Sequence, residues 1–466
     1  MSNTRALTRR SFLQQAAPAA LALGLAPTLI PASARGADGT VAPSNRLTIG
    51  CIGQGPQGQG VMSNFLAQPD ARVVAVCDVK QDQLEQSRRM VNTRYQTADC
   101  ATYGDFRELV ARQDIDVVHI ATPDHWHVLT ALAAVRSGKD VYCEKPLALS
   151  LAEHQTLRAE VQKHGRIFQF GTQQRSEGQF RRACELVLNG RIGRLRHINV
   201  WAPGSAPGGS TQGVPVPANL NYDLWLGPAP FQPYTEDRCS SNGNKKTWWF
   251  ISDYSLGFIT GWGIHPMDIA LWGGGPELLS GPVEVEGFGR IPTEGACNTA
   301  TIWDVNFSFA NRVTLKFVGV PNGGNQGADT GEPWPQGQEW KNHYRRISSH
   351  GTSFEGTEGW VHVDRSGINV YPESLLDEKP DTYKIRLKRS TNHVRDLLDS
   401  VKTRSSSICP VEDAIKTDQM CHLADQALRL KRKLVWNPQA EQFLKDPEAQ
   451  QRIASRVMRA PWGLAV

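Results

Sequence analysis

The sequence predicts an α/β protein of two domains, the first built on a parallel sheet and the second an α+β domain with a large, open, mostly antiparallel sheet. Three observations lead to this prediction. At 466 residues the chain is too long for a single hydrophobic core. In its first part, continuously apolar strand patterns alternate with helical patterns, which is typical of a parallel sheet covered on both faces. In its second part, several strand patterns alternate apolar and polar residues, which is typical of a sheet with one covered face.

The first domain is predicted to span residues 46–175, and five strand patterns define it. The helix before the last strand is expected to begin after the N-cap Ser150 and to end at Gly165. The strand patterns, in chain order, are RLTIGCIG, ARVVAVCDV, IDVVHIAT, DVYCEKP and RIFQFGTQQR.

The second domain is predicted to span residues 176–435. An insertion at 321–346 is rich in Gly and Pro and is expected to form a long loop, and residues 436–466 are expected to form a C-terminal tail. The predicted strands are GRLRHINVWAP, PVEVEGFG, TIWDVNFSF, RVTLKFVGV, SFEGTEGWVHVD and YKIRLK, followed by the helical patterns HVRDLLDSVKTR and VEDAIKTDQMCHLADQALRLKRKL.

The composition argues against two classes of protein. There are 51 basic and 46 acidic residues, a net charge of +5, without long runs of one sign. Nucleic acid is therefore not expected as a partner, because tracking phosphates requires a concentrated basic face. Nine Cys residues occur without C-x-x-C spacing, so neither a disulfide framework nor a zinc site is predicted, and no metal is expected.

The N-terminus predicts export. The pair Arg9-Arg10 precedes a moderately apolar stretch and the small-residue cleavage candidate Ala32-Ser33-Ala34. This pattern indicates a twin-arginine signal peptide over residues 1–34, a periplasmic location and no membrane attachment after its removal. A polar arm, residues 35–45, follows the signal.

A glycine-rich turn follows the first strand pattern. The segment GQGPQG fits G-x-G-x-x-G between a strand and a helix, the context in which this pattern indicates a Rossmann dinucleotide-binding domain. Its glycines permit a tight turn, approach of the backbone to a pyrophosphate, and close packing of helix on strand. Asp78 ends the second strand, where a carboxylate can accept ribose hydroxyls and repel a 2′-phosphate. NAD is therefore expected in preference to NADP.

The stretch ATPDHWHVLTALAAVRSGKDVYCEKPLALS resembles the Gfo/Idh/MocA family (glucose-fructose oxidoreductase, inositol dehydrogenase, rhizopine catabolism), whose marker here is Glu144-Lys145-Pro146. The resemblance covers roughly Arg46 to Leu434. It implies a Rossmann domain followed by an open, mostly antiparallel sheet domain, with a sugar or cyclitol bound between them. It also implies a homo-oligomer, dimer or tetramer, formed through the sheets.

The resemblance also implies site residues. Lys145 would hydrogen-bond the reacting hydroxyl, and Pro146 would take a cis bond that aims it. In SLGFITGWGIHPMDIALWG, His265 matches the general base of the family's Asp-x-x-x-His segment, but Gly261 stands at the Asp position. Asp253 and Asp268 are the nearest carboxylates in sequence that could substitute.

Some candidates for the site have an open role, and the others are assigned as catalytic, cofactor or substrate residues. His127, which with His125 flanks Trp126, is expected either to pack at a helix start or to contact a ligand. Asp223, Trp225 and Trp249 lie on loops near the expected cleft, where core packing is equally expected of each Trp. The catalytic residues are Lys145 and His265; the cofactor residues are Gly53, Gly55, Pro56, Gln57, Gly58, Asp78, Thr122, Pro123, His127, Glu144 and Lys145; the substrate residues are Lys145, Arg175, Trp248, His265 and Asp268.

These residues predict an NAD-dependent oxidoreductase that acts on a CH–OH group of a sugar. Outside the cytoplasm no supply of free dinucleotide is expected, so NAD would be loaded before export and held tightly, with the arm 35–45 folded over the adenine. Two alternatives remain open. One is a redox-neutral glycoside hydrolase or lyase that acts through a keto-sugar. The other, favoured by Gly261, is a non-catalytic protein that binds a sugar or the cofactor.

Overall fold

The computed structural model describes residues 41–240, 247–321 and 334–465. The predicted signal peptide and residues 35–40 of the predicted arm lie outside this range. The chain divides into two compact units, Met1–Arg46 and Leu47–Val466. In the first unit the described residues form a short 3₁₀ helix, Pro43–Asn45. Among the described helices none is long and apolar enough to cross a membrane.

The N-terminal part of the second unit is a parallel sheet of six strands among the described residues, in the order β3-β2-β1-β4-β5-β6. The order reverses between β1 and β4, and in such sheets a crevice opens at the carboxyl ends of the strands at this point. The strands are β1 Leu47–Ile52, β2 Ala71–Cys77, β3 Ala101–Tyr103, β4 Val117–Ile120, β5 Asp140–Cys143 and β6 Phe168–Phe170.

Helices connect these strands as crossovers. The first, α1, begins at Pro56 directly after the glycine turn, and its buried residues Val61 and Phe65 face the sheet core. The helix α5 has Ser150 as N-cap and Gly165 in the left-handed conformation as C-cap, as predicted. The helices are α1 Pro56–Leu66, α2 Gln81–Tyr95, α3 Phe106–Val110, α4 Asp124–Arg136, α5 Leu151–His164 and α6 Gly178–Leu188.

The C-terminal part is built on a second sheet of nine described strands, in the order β13-β12-β11-β7-β10-β9-β8-β14-β15. Every neighbouring pair is antiparallel except β7 and β10, which are parallel. The prediction of a large, mostly antiparallel sheet is confirmed. The strands are β7 Leu195–Pro203, β8 Val283–Arg290, β9 Ile302–Phe309, β10 Thr314–Val320, β11 Gly351–Gly356, β12 Trp360–Asp364, β13 Gly367–Tyr371, β14 Leu434–Asn437 and β15 Gln442–Phe443.

The helices of this part connect the two sheets. The long α13 has buried residues on all sides, from Val411 to Leu428, because it lies between them. The described helices after α6 are α7 Tyr222–Leu226, α8 Glu236–Cys239, α9 Phe258–Gly261, α10 Ile264–Gly274, α11 Pro335–Tyr344, α12 His393–Thr403, α13 Val411–Leu430 and α14 Pro447–Ala454.

Several predicted elements were wrong in detail. The pattern YKIRLK forms no strand, because side chains occupy its backbone donors: Ile385 N–H donates to Asn189 and Leu387 N–H to Glu185. SFEGTEGWVHVD is a hairpin of two strands, β11 and β12, rather than one. The insertion contains α11, which packs on the sheet through Trp340, while residues 322–333 lie outside the described chain.

The domain boundaries also differ from the prediction, because the chain returns to the first domain. Helix α12, assigned to the second domain from sequence, packs its Val394 and Leu397 against the core of the first sheet. The predicted tail, residues 436–466, is not a tail over its described part, 436–465, which adds β15 to the nine-stranded sheet and then forms α14. Beyond α14, Trp462 packs against Trp126 with ring centroids 4.7 Å apart.

A buried ion pair joins the end of the first domain to the helices of the second. Arg175 donates from Nε and Nη2 to Asp268 on α10 at 2.8 and 2.6 Å, and from Nη1 to Asp413 on α13 at 2.6 Å. Arg175 is 3% exposed and Asp268 is fully buried. Thr417 also donates to Asp268, at 3.1 Å. The carboxylates offset burial and hold the pKa of Arg175 well above its usual value.

This ion pair predicts a stability difference. Asp268→Ala should lower the free energy of unfolding by about 3–5 kcal/mol, because it leaves a buried guanidinium without its main counterion. Asp413→Ala is the matched control: its carboxylate is 37% exposed, so we expect a loss of about 1 kcal/mol. Denaturant unfolding would measure both, and equal losses would contradict the structural role assigned to Asp268.

Candidate active site

A cavity of about 530 Å³ opens where the strand order of the first sheet reverses. Its walls come from the turns after β1, β2, β4 and β5 and, on the other side, from α9, α10 and neighbouring loops of the second domain. Eleven residues predicted for the site line it: Gly53, Gly55, Pro56, Gln57, Gly58, Asp78, Thr122, Pro123, Lys145, Trp248 and His265.

The glycine turn brings the start of α1 against the ends of β1 and β4. Gly53 has φ +81°, and a Cβ there would lie 2.5 Å from the backbone of Ala121. A Cβ on Gly58 would lie 1.9 Å from the Gly53 carbonyl oxygen. Only glycine fits at both positions. The first amides of α1 have no acceptor within the helix and face the cavity that Gln57 and Gly58 line, which suits a pyrophosphate.

Asp78 is held rigidly at the end of β2. Its Oδ2 accepts a hydrogen bond from Gln54 N–H at 2.6 Å and its Oδ1 one from Lys80 N–H at 2.8 Å. Burial raises the pKa of Asp78 to about 6, although both backbone donors and the charge of Lys80 lower it. The carboxyl group is thus placed beside the glycine turn, where the ribose of a dinucleotide would lie.

Lys145 reaches the cavity from the turn after β5. The Lys145–Pro146 bond is cis, as the family resemblance implies. Glu144 is buried, and its Oε1 accepts hydrogen bonds from Gln57 Nε2 at 3.0 Å and from Gln173 Nε2 at 3.3 Å. Glu144 therefore positions Gln57 and does not itself line the cavity, contrary to the prediction that it contacts the cofactor.

A buried carboxylate on α13 holds the backbone that follows Pro146. Asp418 accepts from Leu147 N–H at 3.3 Å and from Ala148 N–H at 3.0 Å. His154 on α5 lies 2.7 Å and His422 lies 3.4 Å from its Oδ2. Burial would raise the pKa of Asp418, but the two imidazoles outweigh this effect and hold it well below its usual value.

The same three side chains, His154, Asp418 and His422, are close enough together to hold a metal ion. Hydrogen bonds account for their arrangement, since both carboxylate oxygens and His422 Nε2 already bond backbone groups. This buried cluster was missed from sequence, because His154 is 264 residues away from Asp418 along the chain.

His265 lines the cavity at the start of α10 and is 4% exposed. Burial, together with the charges of Arg365 and Lys145, lowers its pKa well below the usual value, so the imidazole is neutral near pH 7. Among the described residues no group hydrogen-bonds its buried Nδ1. Gly261 lines the same wall, so the position of the family's Asp faces the cavity without a side chain.

Asp124, the first residue of α4, is a cavity residue that the sequence analysis missed. It is 3% exposed, and no described residue hydrogen-bonds its Oδ2. Burial raises the pKa of Asp124 to about 8, against the hydrogen bond from Ser255 and the charge of Lys145. The group is therefore mostly protonated at neutral pH and can donate a proton. The signal was the Asp that follows Thr122-Pro123 at a helix start.

Four predicted site residues do not line the cavity. Arg175 and Asp268 form the buried ion pair described above, because a desolvated guanidinium requires a counterion. Asp268 therefore does not substitute for the missing Asp beside His265. His127 is buried. Its Nδ1 lies 2.6 Å from the Pro146 carbonyl oxygen and its Nε2 lies 2.9 Å from the Thr122 carbonyl oxygen, so the ring links the turns after β4 and β5. Glu144 is the fourth.

The aromatic candidates fall into two groups. Trp225, Trp248 and Trp249 line the cavity, together with Trp126. Asp223 does not: its carboxylate is 82% exposed and pairs with Arg459 at 2.5 Å. Asp253 also lies outside the lining, and its pKa is raised by burial and lowered by the charge of Arg238.

The sheet order, the glycine turn and the shared cavity define a dinucleotide-binding protein with a separate substrate domain. Residues 47–172 match the model of the Gfo/Idh/MocA oxidoreductase family's NAD-binding Rossmann fold. Residues 206–310 and 354–464 match the model of that family's C-terminal alpha/beta domain. These matches cover more than half of the chain. The protein belongs to the Gfo/Idh/MocA family of NAD-binding oxidoreductases.

Named relatives differ in their chemistry. The chain is 29% identical over 161 residues to myo-inositol 2-dehydrogenase of Thermotoga maritima, covering 34% of this chain and 46% of the relative. It is 32% identical over 166 residues to a glycosyl hydrolase family 109 protein of Saccharopolyspora erythraea, covering 33% and 36%. These alignments span less than half of either relative.

A solved structure shows the same fold over nearly its whole length. The aldose-aldose oxidoreductase of Caulobacter crescentus, complexed with glycerol, superposes with a TM-score of 0.59 at 17% identity. The superposition covers 83% of this chain and 99% of that one.

The Asp418 cluster predicts a loss of rate that is separable from a loss of stability. Asp418→Asn replaces one acceptor oxygen by an amide that cannot accept, so Lys145 should lose its fixed position and hydride transfer should slow about 10-fold or more. Asp425→Asn is the control, since Asp425 is equally buried on α13 but pairs with Arg429. Single-turnover reduction of bound NAD measures the rate. If both variants lose stability and rate alike, Asp418 has no positioning role.

Gly261 predicts a shift in pH dependence. A Cβ at this position would meet only Phe258 Cδ1, at 3.6 Å, so Gly261→Asp should be tolerated. Its carboxylate would stabilise protonated His265 and raise the pKa of that imidazole by about 1 unit or more. Because a general base must be neutral, the acid limb of kcat/KM should move to higher pH. Gly261→Asn, the uncharged control, should leave the limb in place. An unmoved limb in Gly261→Asp would remove His265 as the base.

Proposed function

We propose that this protein oxidises a CH–OH group of a sugar or sugar derivative with a tightly held NAD. One observation carries the proposal: Lys145 and His265, from different domains, line the same cavity as the glycine turn. The turn and Asp78 suit the diphosphate and ribose of a dinucleotide, and bound NAD supplies the hydride acceptor. The charge of Asp78 favours NAD over NADP, because it would repel a 2′-phosphate.

The chain's own residues supply the proton chemistry. The ammonium of Lys145 donates a hydrogen bond to the hydroxyl oxygen and stabilises the negative charge that develops there. His265 is neutral near pH 7 because burial lowers its pKa, so it can accept the hydroxyl proton. As that proton is removed, the carbon that bears the hydroxyl group loses a hydride, and a carbonyl group remains.

A redox-neutral glycosidase is the second candidate, and Asp124 favours it. A keto group acidifies the neighbouring C–H, so loss of that proton can expel the glycosidic oxygen from the next carbon. Addition of water and return of the hydride to the keto carbon then complete a hydrolysis without net oxidation. The departing oxygen needs a proton, and Asp124, with its pKa raised to about 8, carries one at neutral pH. The similarity to a glycosyl hydrolase family 109 protein is consistent with such a cycle.

The proposal also includes the cellular location and the oligomeric state of the protein. The twin-arginine pattern leads us to propose export to the periplasm in the folded state, with NAD already bound. We also propose a homo-oligomer formed through the nine-stranded sheet. Size measurement of the purified protein and its distribution between cell fractions would check these two points.

The experiment begins with the cofactor and then tests turnover. Mass spectrometry of the small molecules released by denaturation should find NAD rather than NADP. The purified protein is then incubated with sugars and with aryl glycosides, without added cofactor. Reduction of bound NAD supports sugar oxidation, and release of the aryl alcohol without net NADH supports the glycosidase. Neither signal with any substrate would contradict both.

Lys145 provides the matched variant. Lys145→Ala should retain the dinucleotide and slow the reaction by about 10²- to 10⁴-fold, because the developing charge on oxygen loses its donor. Lys163→Ala, 70% exposed on α5, is the control and should behave as the unaltered protein. Unchanged turnover in Lys145→Ala would overturn the catalytic assignment.

A further inference from the structure

Arg365 is a cavity residue that the proposed chemistry does not use. It is the first residue after β12, in the tight turn that connects β12 to β13. From there its side chain lines the same cavity as Lys145 and His265. The residue is exposed to solvent, and partial burial of its guanidinium lowers the pKa of that group, against the charge of Glu177.

Trp262 fixes the position of this side chain. The guanidinium carbon of Arg365 lies 5.1 Å from the centroid of the Trp262 ring, within the range of a cation–π contact. Trp262 also packs against His265, with ring centroids 5.8 Å apart, and against His350, with ring centroids 5.2 Å apart. The planar guanidinium of Arg365 and the proposed base, His265, therefore contact the same tryptophan.

No carboxylate neutralises Arg365 within the described part of the chain, where its guanidinium makes no ion pair or hydrogen bond. Glu177 is the acidic group that acts on it, but at a distance beyond an ion pair. Neighbouring arginines differ: Arg346 bonds Asp364 at 3.2 Å. Five guanidinium donors therefore remain available to a ligand.

The contact with Trp262, which also packs against His265, places Arg365 at the substrate end of the cavity. Its charge and that of Lys145 both act on His265, whereas Lys80 and Asp82 act on Asp78 at the dinucleotide end. Because Asp124 is mostly protonated and His265 is neutral near pH 7, the substrate end carries an excess of positive charge. The diphosphate has its own site at the amides of α1.

We infer that the substrate is a carbohydrate bearing a carboxylate, such as a uronic acid, and that Arg365 binds this carboxylate. The inference rests on the proposed function and adds the class of substrate to it. A guanidinium matches a carboxylate with two parallel hydrogen bonds. A single Arg suffices for this monoanion, whereas Lys145 is committed to the reacting hydroxyl. A sugar phosphate, which carries more charge, is the competing ligand.

The experiment compares matched sugars on the NAD-loaded protein. D-Glucuronate is compared with D-glucose, and D-galacturonate with D-galactose, while glucose 6-phosphate tests the phosphate. Calorimetry measures binding, and absorbance at the NADH band measures hydride transfer. Three variants are included. Arg365→Gln removes the charge, Arg365→Lys keeps the charge without the fork, and Arg196→Gln removes an exposed Arg of β7 outside the cavity.

We expect the acid to bind about 10- to 100-fold more tightly than its neutral partner, as for hydrogen bonds between charged groups. Arg365→Gln should abolish this preference by raising the KM for the acid, while kcat stays nearly unchanged. Arg365→Lys should keep part of the preference. Arg196→Gln should keep all of it. Retained binding of NAD shows that each variant is folded.

Three outcomes would overturn the inference: no preference for either acid, a preference that survives Arg365→Gln, or a preference for the phosphate over both acids. Failure of the inference is distinguishable from failure of the proposed function. Hydride transfer from neutral sugars that is independent of Arg365 leaves the oxidoreductase intact. Tight, Arg365-dependent binding of the acid without hydride transfer supports the carboxylate site and contradicts the oxidoreductase.

Discussion

The contact between Asp418 and the backbone after Pro146 is the constraint on which the site depends. Lys145 belongs to the first sheet and His265 to the second domain, so the cavity exists only if the two parts are fixed relative to each other. Asp418 accepts two backbone N–H groups from the lysine turn while lying on α13, which packs on both parts. The ion pair of Arg175 with Asp268 fixes the helix that carries His265.

Burial then sets the chemistry of the cavity. Removing a group from water disfavours its charged form, so the pKa of His265 falls and that of Asp124 rises. Both groups are thereby mostly neutral near pH 7, one able to accept a proton and the other able to donate one. The remaining charges at the substrate end are cationic, from Lys145 and Arg365. This combination suits the proposed oxidation of a hydroxyl and the proposed binding of an anion.

Gly261 stands where the family resemblance implies a carboxylate. The family's carboxylate would raise the pKa of the histidine and orient it, whereas here the position has no side chain. Neither carboxylate considered from the sequence substitutes, since Asp268 is committed to Arg175 and Asp253 does not line the cavity. Asp124 instead places a carboxyl group on the opposite, dinucleotide-binding wall of the cavity. The proton chemistry is therefore divided between the two domains, which is compatible with an acid step after oxidation.

Local signals were enough for the glycine turn and Asp78, because the strands, the glycines and the helix that define them are adjacent in sequence. The alternation of strands and helices likewise determined the parallel sheet. The cis Lys145–Pro146 bond was expected only from the resemblance to the family. Only the tertiary structure separated Arg175 and His127, which are structural, from Asp124 and Arg365, which line the cavity. It also showed that α12 and Trp462 pack on the first domain, while β15 joins the nine-stranded sheet. The physical reason is that burial and ion pairing depend on neighbours hundreds of residues away, and the sequence around a charged side chain does not reveal whether it faces a counterion or a ligand.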